Sequence, residues 1–104
     1  MKMKSILLVC LGGMSTSLMV QKMEKAAQKD NIAVRIWAVS EAEAHNNFNE
    51  ADIVLLGPQL KFKYNEYKKI LGDKPVEIIS IADYGRMQGE KVLKWALAIL
   101  AGKE

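Results

Sequence analysis

The chain has 104 residues, half of them hydrophobic and about a quarter charged; this is the make-up of one small domain with a core of its own, spanning 1–104, and it excludes a disordered or low-complexity chain. The net charge of +3 comes from lysines spread along the sequence, so there is no dense basic run and no nucleic-acid interface is expected. A single cysteine cannot close an intrachain disulfide, which excludes a secreted disulfide scaffold.

Lys2 and Lys4 precede an apolar run, Ile6 to Leu11, that is shorter than the roughly 7–15 residues of a signal-peptide core. Val9 is also bulky where a cleavage site wants a small residue. A cytoplasmic protein is expected, and no segment approaches transmembrane length. Ile6-Leu7-Leu8-Val9 reads as a buried strand. Cys10 follows it, and Leu11-Gly12-Gly13-Met14-Ser15-Thr16-Ser17 reads as a glycine- and hydroxyl-rich loop. A helix is expected from about Leu18 to Lys29, with Met19, Met23, Ala26 and Ala27 inward.

The second strand is expected from Ile32 to Val39, with Ile32, Val34, Ile36 and Ala38 on one face and Arg35 and Trp37 on the other. A short, weakly apolar helix is expected over Glu41 to Phe48. Ile53-Val54-Leu55-Leu56 is apolar throughout and reads as a third strand. A third helix spans about Leu60 to Leu71, with Leu60, Tyr64, Tyr67 and Leu71 on one stripe and Gly72 placed to end it. Val76 to Ile79 gives a short fourth strand. A last helix, from about Gln88 to Ala101, turns Val92, Leu93, Ala96, Ile99 and Leu100 inward.

Strands alternating with helices predict a single-domain α/β fold with a parallel four-stranded sheet. Strands one and three, being uniformly apolar, are central. Right-handed crossovers then make 2-1-3-4 the economical order, with helices on both faces. The winding reverses between strands one and three, and ligands in such sheets bind outside the carboxyl ends at that reversal. Cys10 ends strand one. Gly57, Pro58 and Gln59 end strand three beside it.

A thiol at the start of a helix meets unpaired N–H groups and a partial positive charge, a natural anion site that favours the thiolate form. Gly12 and Gly13 let the backbone approach a ligand closely. The segment Leu11 to Ser17 can therefore surround a tetrahedral anion with N–H groups, helped by the hydroxyls of Ser15, Thr16 and Ser17. A plain turn around a buried, inert cysteine is the alternative reading. If Cys10 takes up a phosphoryl group, positioned donors suffice, and neither a metal nor another cofactor is needed. His45, the only histidine, reads as a surface residue, so a phosphohistidine donor would have to belong to another protein.

Cysteine phosphatases place an arginine six residues after the cysteine to clamp phosphate bidentately. Here that position is Thr16, which argues against efficient hydrolysis and for a phosphocysteine that lasts until an acceptor arrives. A multi-thiol arsenate reductase is excluded by the lone cysteine, and a nucleotide-type phosphate loop by the lack of a loop lysine. Tyr84, in Asp83-Tyr84-Gly85 after strand four, is a further candidate for the rim. Leu11 and Met14, if exposed, would form an apolar collar around Cys10.

Cys10-Leu-Gly-Gly-Met-Ser-Thr-Ser-Leu18, Asp52-Ile-Val-Leu-Leu-Gly-Pro-Gln59 and Lys74-Pro-Val-Glu-Ile78 resemble the IIB component of bacterial phosphotransferase sugar-uptake systems, in the lactose, cellobiose and chitobiose class. Leu11 stands where the family commonly has a small residue. The resemblance implies that Cys10 accepts a phosphoryl group from a IIA histidine and passes it to a sugar held by the membrane IIC component. It implies a carrier that is monomeric alone and reaches the membrane through IIC. Gly57, Pro58, Gln59 and Tyr84 are then candidates for partner or rim contacts. A phosphatase-like enzyme of low molecular weight and a regulatory binding domain with an unused cysteine are the competing readings.

Overall fold

The computed structural model describes residues 3–11 and 14–103, with the side chains of Met14, Ser15 and Lys103 outside that description. Strand β1 (Lys4–Cys10) lies between β2 (Val34–Ser40) and β3 (Ile53–Leu56), and β4 (Val76–Ile78) lies outside β3. Every pairing is parallel, giving the expected order 2-1-3-4. All four residues of β3 are buried, as are Ile6 through Cys10 of β1, so these strands need cover on both faces. In β2 only Ile36 is fully buried, as suits an edge.

Helices α1 (Met14–Lys29) and α4 (Gly89–Lys103) cover one face. There Ile6, Leu8, Ile36, Ile53 and Leu55 meet Met19, Met23 and Ala27 of α1 and Val92, Leu93, Ala96 and Leu100 of α4. The two helices meet at Gly89. A Cβ added there would lie 2.5 Å from Lys22 Cβ and 2.7 Å from the Lys22 carbonyl carbon, so only glycine lets α4 begin against the α1 backbone.

The opposite face carries Leu7, Val9, Val54, Leu56 and Val76, covered by Ala44, Phe48, Leu60, Tyr67 and Leu71. Its cover is mostly 3₁₀: turns at Glu41–Glu43, His45–Glu50 and Pro58–Lys63 precede helix α2 (Tyr64–Leu71). The helix expected over Glu41 to Phe48 is therefore two 3₁₀ turns. Asn47 bends the chain there, its amide donating to Glu43 O at 2.9 Å while its Oδ1 accepts from Trp37 Nε1 at 3.0 Å. The helix expected from Leu60 likewise starts as a 3₁₀ turn, with Leu60 at φ −104° and ψ 16°, and becomes α-helical only at Tyr64. Gly72 ends it at φ +60°, as expected.

Two further differences bear on the site. Helix α1 begins at Met14, so residues 14–17 are its first turn and not loop. A short helix absent from the sequence reading, α3 (Ile81–Gly85), follows β4. At the far end of the sheet Asp52 clasps β1. Its Oδ2 accepts from Ser5 N–H at 2.8 Å and its own N–H donates to Ser5 O at 2.8 Å.

Candidate functional site

Cys10 ends β1 and has the parity of Ile6 and Leu8, so its side chain points to the face that α1 covers. The residue is only 7% exposed, which places its sulfur inside the rim and not on the open surface. Its Sγ lies 3.9 Å from Val39 O, a long contact from a weak donor that is readily given up when the sulfur reacts.

Around it the carboxyl ends of the strands converge. Gly57 N–H donates to Val9 O at 3.0 Å, which ties the end of β3 to the residue before Cys10. Gly57 is buried and Pro58 opens the 3₁₀ turn that follows. Gln59 is exposed, yet its Oε1 folds back to within 3.0 Å of where a Gly57 Cβ would stand. Tyr84 is buried, and its Cε1 lies 3.7 Å from that same point. Gly57, Gln59 and Tyr84 are thus brought together next to the strand that carries Cys10.

Thr16 comes into this group from α1. It is 3% exposed, and its Oγ1 lies 3.0 Å from the Tyr84 hydroxyl. The position where a phosphatase would carry its arginine therefore holds a buried hydroxyl already engaged by a tyrosine. Arg35 stands at the other end of the sheet, in register with Ser5, bound to Glu50 at 2.8 Å and lying over the Trp37 ring. Arg86 is an exposed residue at the end of α3.

Helix α1 starts four positions after Cys10. The first four N–H groups of an α-helix have no partner within it and carry its partial positive charge, and among the described residues these are the N–H groups of 14–16. A covalently held anion on Cys10 would be offered those donors. Ser17 and Leu11 are exposed. Gly12 and Gly13 lie outside the described residues, as do the side chains of Met14 and Ser15, so their expected roles stay expectations. No group of three or more metal-binding side chains is gathered among the described residues.

The sequence reading missed α3, the element that delivers Tyr84. Its signal is present: Ser80 stands three residues before Asp83, and its Oγ accepts from Asp83 N–H at 3.0 Å as a helix N-cap. His45 also proves to be more than bare surface. Its ring packs edge-on to Tyr67 at 5.8 Å and against Phe48 at 5.3 Å.

The model of the family described as "PTS system, Lactose/Cellobiose specific IIB subunit" matches residues 5–94. The chain is 40% identical to the oligo-beta-mannoside-specific EIIB component of Bacillus subtilis over 97% of its own length and all of that protein. It is 41% identical to the galactose-specific EIIB component of Lactococcus lactis subsp. cremoris, over 86% of this chain and 90% of that one. The solution structure of a cellobiose-specific phosphotransferase IIB component from Borrelia burgdorferi superposes with a TM-score of 0.82 at 42% identity, covering 99% of this chain and 96% of that one. A lone cysteine at the switch point of a 2-1-3-4 parallel sheet, without a phosphatase arginine and in this company, places the chain in the lactose/cellobiose-specific IIB family of the phosphotransferase sugar-uptake systems, whose members are phosphotransferases.

Proposed function

We propose that Cys10 carries the phosphoryl group, taking it from a histidine of a IIA partner and handing it to a sugar held by a membrane IIC partner. The observation that carries this reading is the position of Cys10 at the carboxyl end of the central strand β1, four positions before α1 begins. In the first step the Cys10 thiolate attacks the phosphorus of the donor phosphohistidine. The S–P bond forms, the P–N bond breaks, and the imidazole nitrogen keeps the electron pair. In the second step a sugar hydroxyl oxygen attacks the same phosphorus. The O–P bond forms, the S–P bond breaks, the thiolate is restored, and the hydroxyl proton leaves to a base on the acceptor side. Protein donors need only cradle the equatorial oxygens in both steps.

Docking fits an apolar rim. Leu11 follows β1, Phe62 lies in the turn after β3, and Ile81 opens α3 after β4. They are 58%, 66% and 79% exposed, an unusual exposure for large side chains on the carboxyl-side connections. Relatives of nearly equal identity are named for different sugars, oligo-beta-mannoside and galactose, which supports leaving the choice of sugar to the partner that holds it.

Intact-mass analysis after incubation with a phosphorylated IIA protein tests the carrier step. One phosphoryl group is expected on the wild type and none on Cys10→Ser, since a serine hydroxyl is a far poorer nucleophile than a thiolate near neutral pH. Full sugar phosphorylation by Cys10→Ser in IIC-containing membranes would refute the proposal. Ile81→Glu is expected to raise KM for the IIA protein by about tenfold while sparing kcat, because a charge is placed in an apolar contact. An unchanged KM would remove Ile81 from the docking surface.

A further inference from the structure

We propose that Tyr84 is a positioning residue for phosphoryl transfer, acting through Thr16; this rests on Cys10 being the phosphoryl carrier. The contact is built on both sides. Thr16 lies in the first turn of α1, among the residues whose N–H groups have no partner within the helix, and α1 starts four positions after Cys10. Both residues are buried, and their hydroxyl oxygens are 3.0 Å apart.

Tyr84 itself is held from below. Ser80 O accepts its N–H at 2.9 Å, Ser80 Oγ caps α3, and the preceding Ile79 donates to Leu56 O at 2.9 Å. The phenol is therefore tied to the β3–β4 side of the sheet, and Thr16 to the side that α1 covers. Their bond locks the first turn of α1 to the carboxyl end of the sheet, where Cys10 ends β1. Without it the N–H donors lose their fixed position relative to sulfur, and donors fixed in advance are what this chemistry asks of the protein.

The hydroxyl pair also explains why the chain can lack a phosphatase arginine. Thr16 occupies that position and is directed to Tyr84, so no guanidinium stands there to promote hydrolysis of a phosphocysteine.

The test begins with the wild type, phosphorylated by IIA and examined by intact mass. No phosphate on Cys10 overturns both the carrier reading and this inference. With phosphate on Cys10, single-turnover transfer is measured for Tyr84→Phe, Thr16→Val, Thr16→Ser and the double variant Tyr84→Phe/Thr16→Val. Each variant that loses the bond is expected to lower kcat about tenfold with KM for IIA unchanged, and to shift the phosphorus-31 resonance of the phosphocysteine. The double variant is expected to be no slower than the singles, as for two residues acting as a unit. Thr16→Ser, which keeps the hydroxyl, is expected to recover most of the rate lost in Thr16→Val. Wild-type kcat and an unshifted resonance in Tyr84→Phe overturn this inference alone, as does multiplicative slowing in the double variant. Should Tyr84→Phe fail to fold, the Thr16→Ser and Thr16→Val pair decides, and equal loss in both overturns it.

Discussion

On one face of the sheet two long helices, α1 and α4, present aliphatic and small side chains at helical spacing. On the other face three 3₁₀ turns and the eight-residue α2 present aromatic rings, with Phe48 edge-on to Tyr67 at 5.0 Å and His45 beside both. The first face is held by repetition, so its packing is rigid and a defect has nowhere to go. The second is held by individual side-chain contacts on irregular backbone, which can shift to close a gap. It also tolerates a flaw, since the Tyr67 hydroxyl is buried with no hydrogen-bond partner among the described residues. The candidate site lies on neither face alone. It occupies the rim where α1 and the connections after β3 and β4 meet.

Paired truncations would break or sharpen this contrast. Leu93 of α4 and Leu60 of the 3₁₀ turn are both fully buried. Leu93→Ala is expected at the upper end of the ~2–5 kcal/mol range for such truncations, and Leu60→Ala at the lower end, where collapse is easier. Urea denaturation of both variants checks this, and equal losses would break the contrast. Gly89→Ala comes next. Its Cβ would meet α1 backbone, which cannot move aside as a side-chain tip can, and a loss of about 1–3 kcal/mol is expected from overpacking. A neutral outcome in the same assay would show that the helix face yields.

The smallest effect has the opposite sign. Tyr67→Phe removes an unpartnered buried hydroxyl and is expected to leave stability unchanged or raise it by about 1 kcal/mol. Burial pushes the Tyr67 phenol above its ordinary value of 10, with Glu41 adding to the effect. The folded chain therefore keeps this proton where the unfolded chain loses it. That contribution to stability is complete below about pH 10 and is lost as pH rises further. Tyr67→Phe should accordingly lose less stability than the wild type on going to alkaline pH. Parallel declines would show that the phenol is reached by water.

Legibility followed the same division. The inward residues of α1 and α4 were readable from apolar spacing, and the strand order from two uniformly apolar strands together with right-handed crossovers. Residues 41–48 and 60–63 were expected as α-helix and are 3₁₀ turns, because an Asn47 side chain and a kink at Leu60, neither a matter of apolar period, decide their backbone. Cys10, Gly57 and Gln59 were legible as neighbours from the switch-point rule and Tyr84 as a rim candidate after strand four, and the structure places Gln59 and Tyr84 beside Gly57. The partnership of Thr16 with Tyr84, 68 positions apart, was not legible, because nothing local in either segment records it.

The clasp between Asp52 and Ser5 has a consequence at the opposite end of β1. Side chains along a strand alternate with a period of two, so a slip of one residue exchanges the faces of everything downstream. Were β1 to slide by one against β3, Leu11 would take the place of Cys10, and the thiol would turn toward the aromatic side of the sheet. The carboxylate of Asp52 is thus a reading-frame mark. It sits at the foot of the strand, far from Cys10, and it sets the face of the sheet to which the thiol is turned.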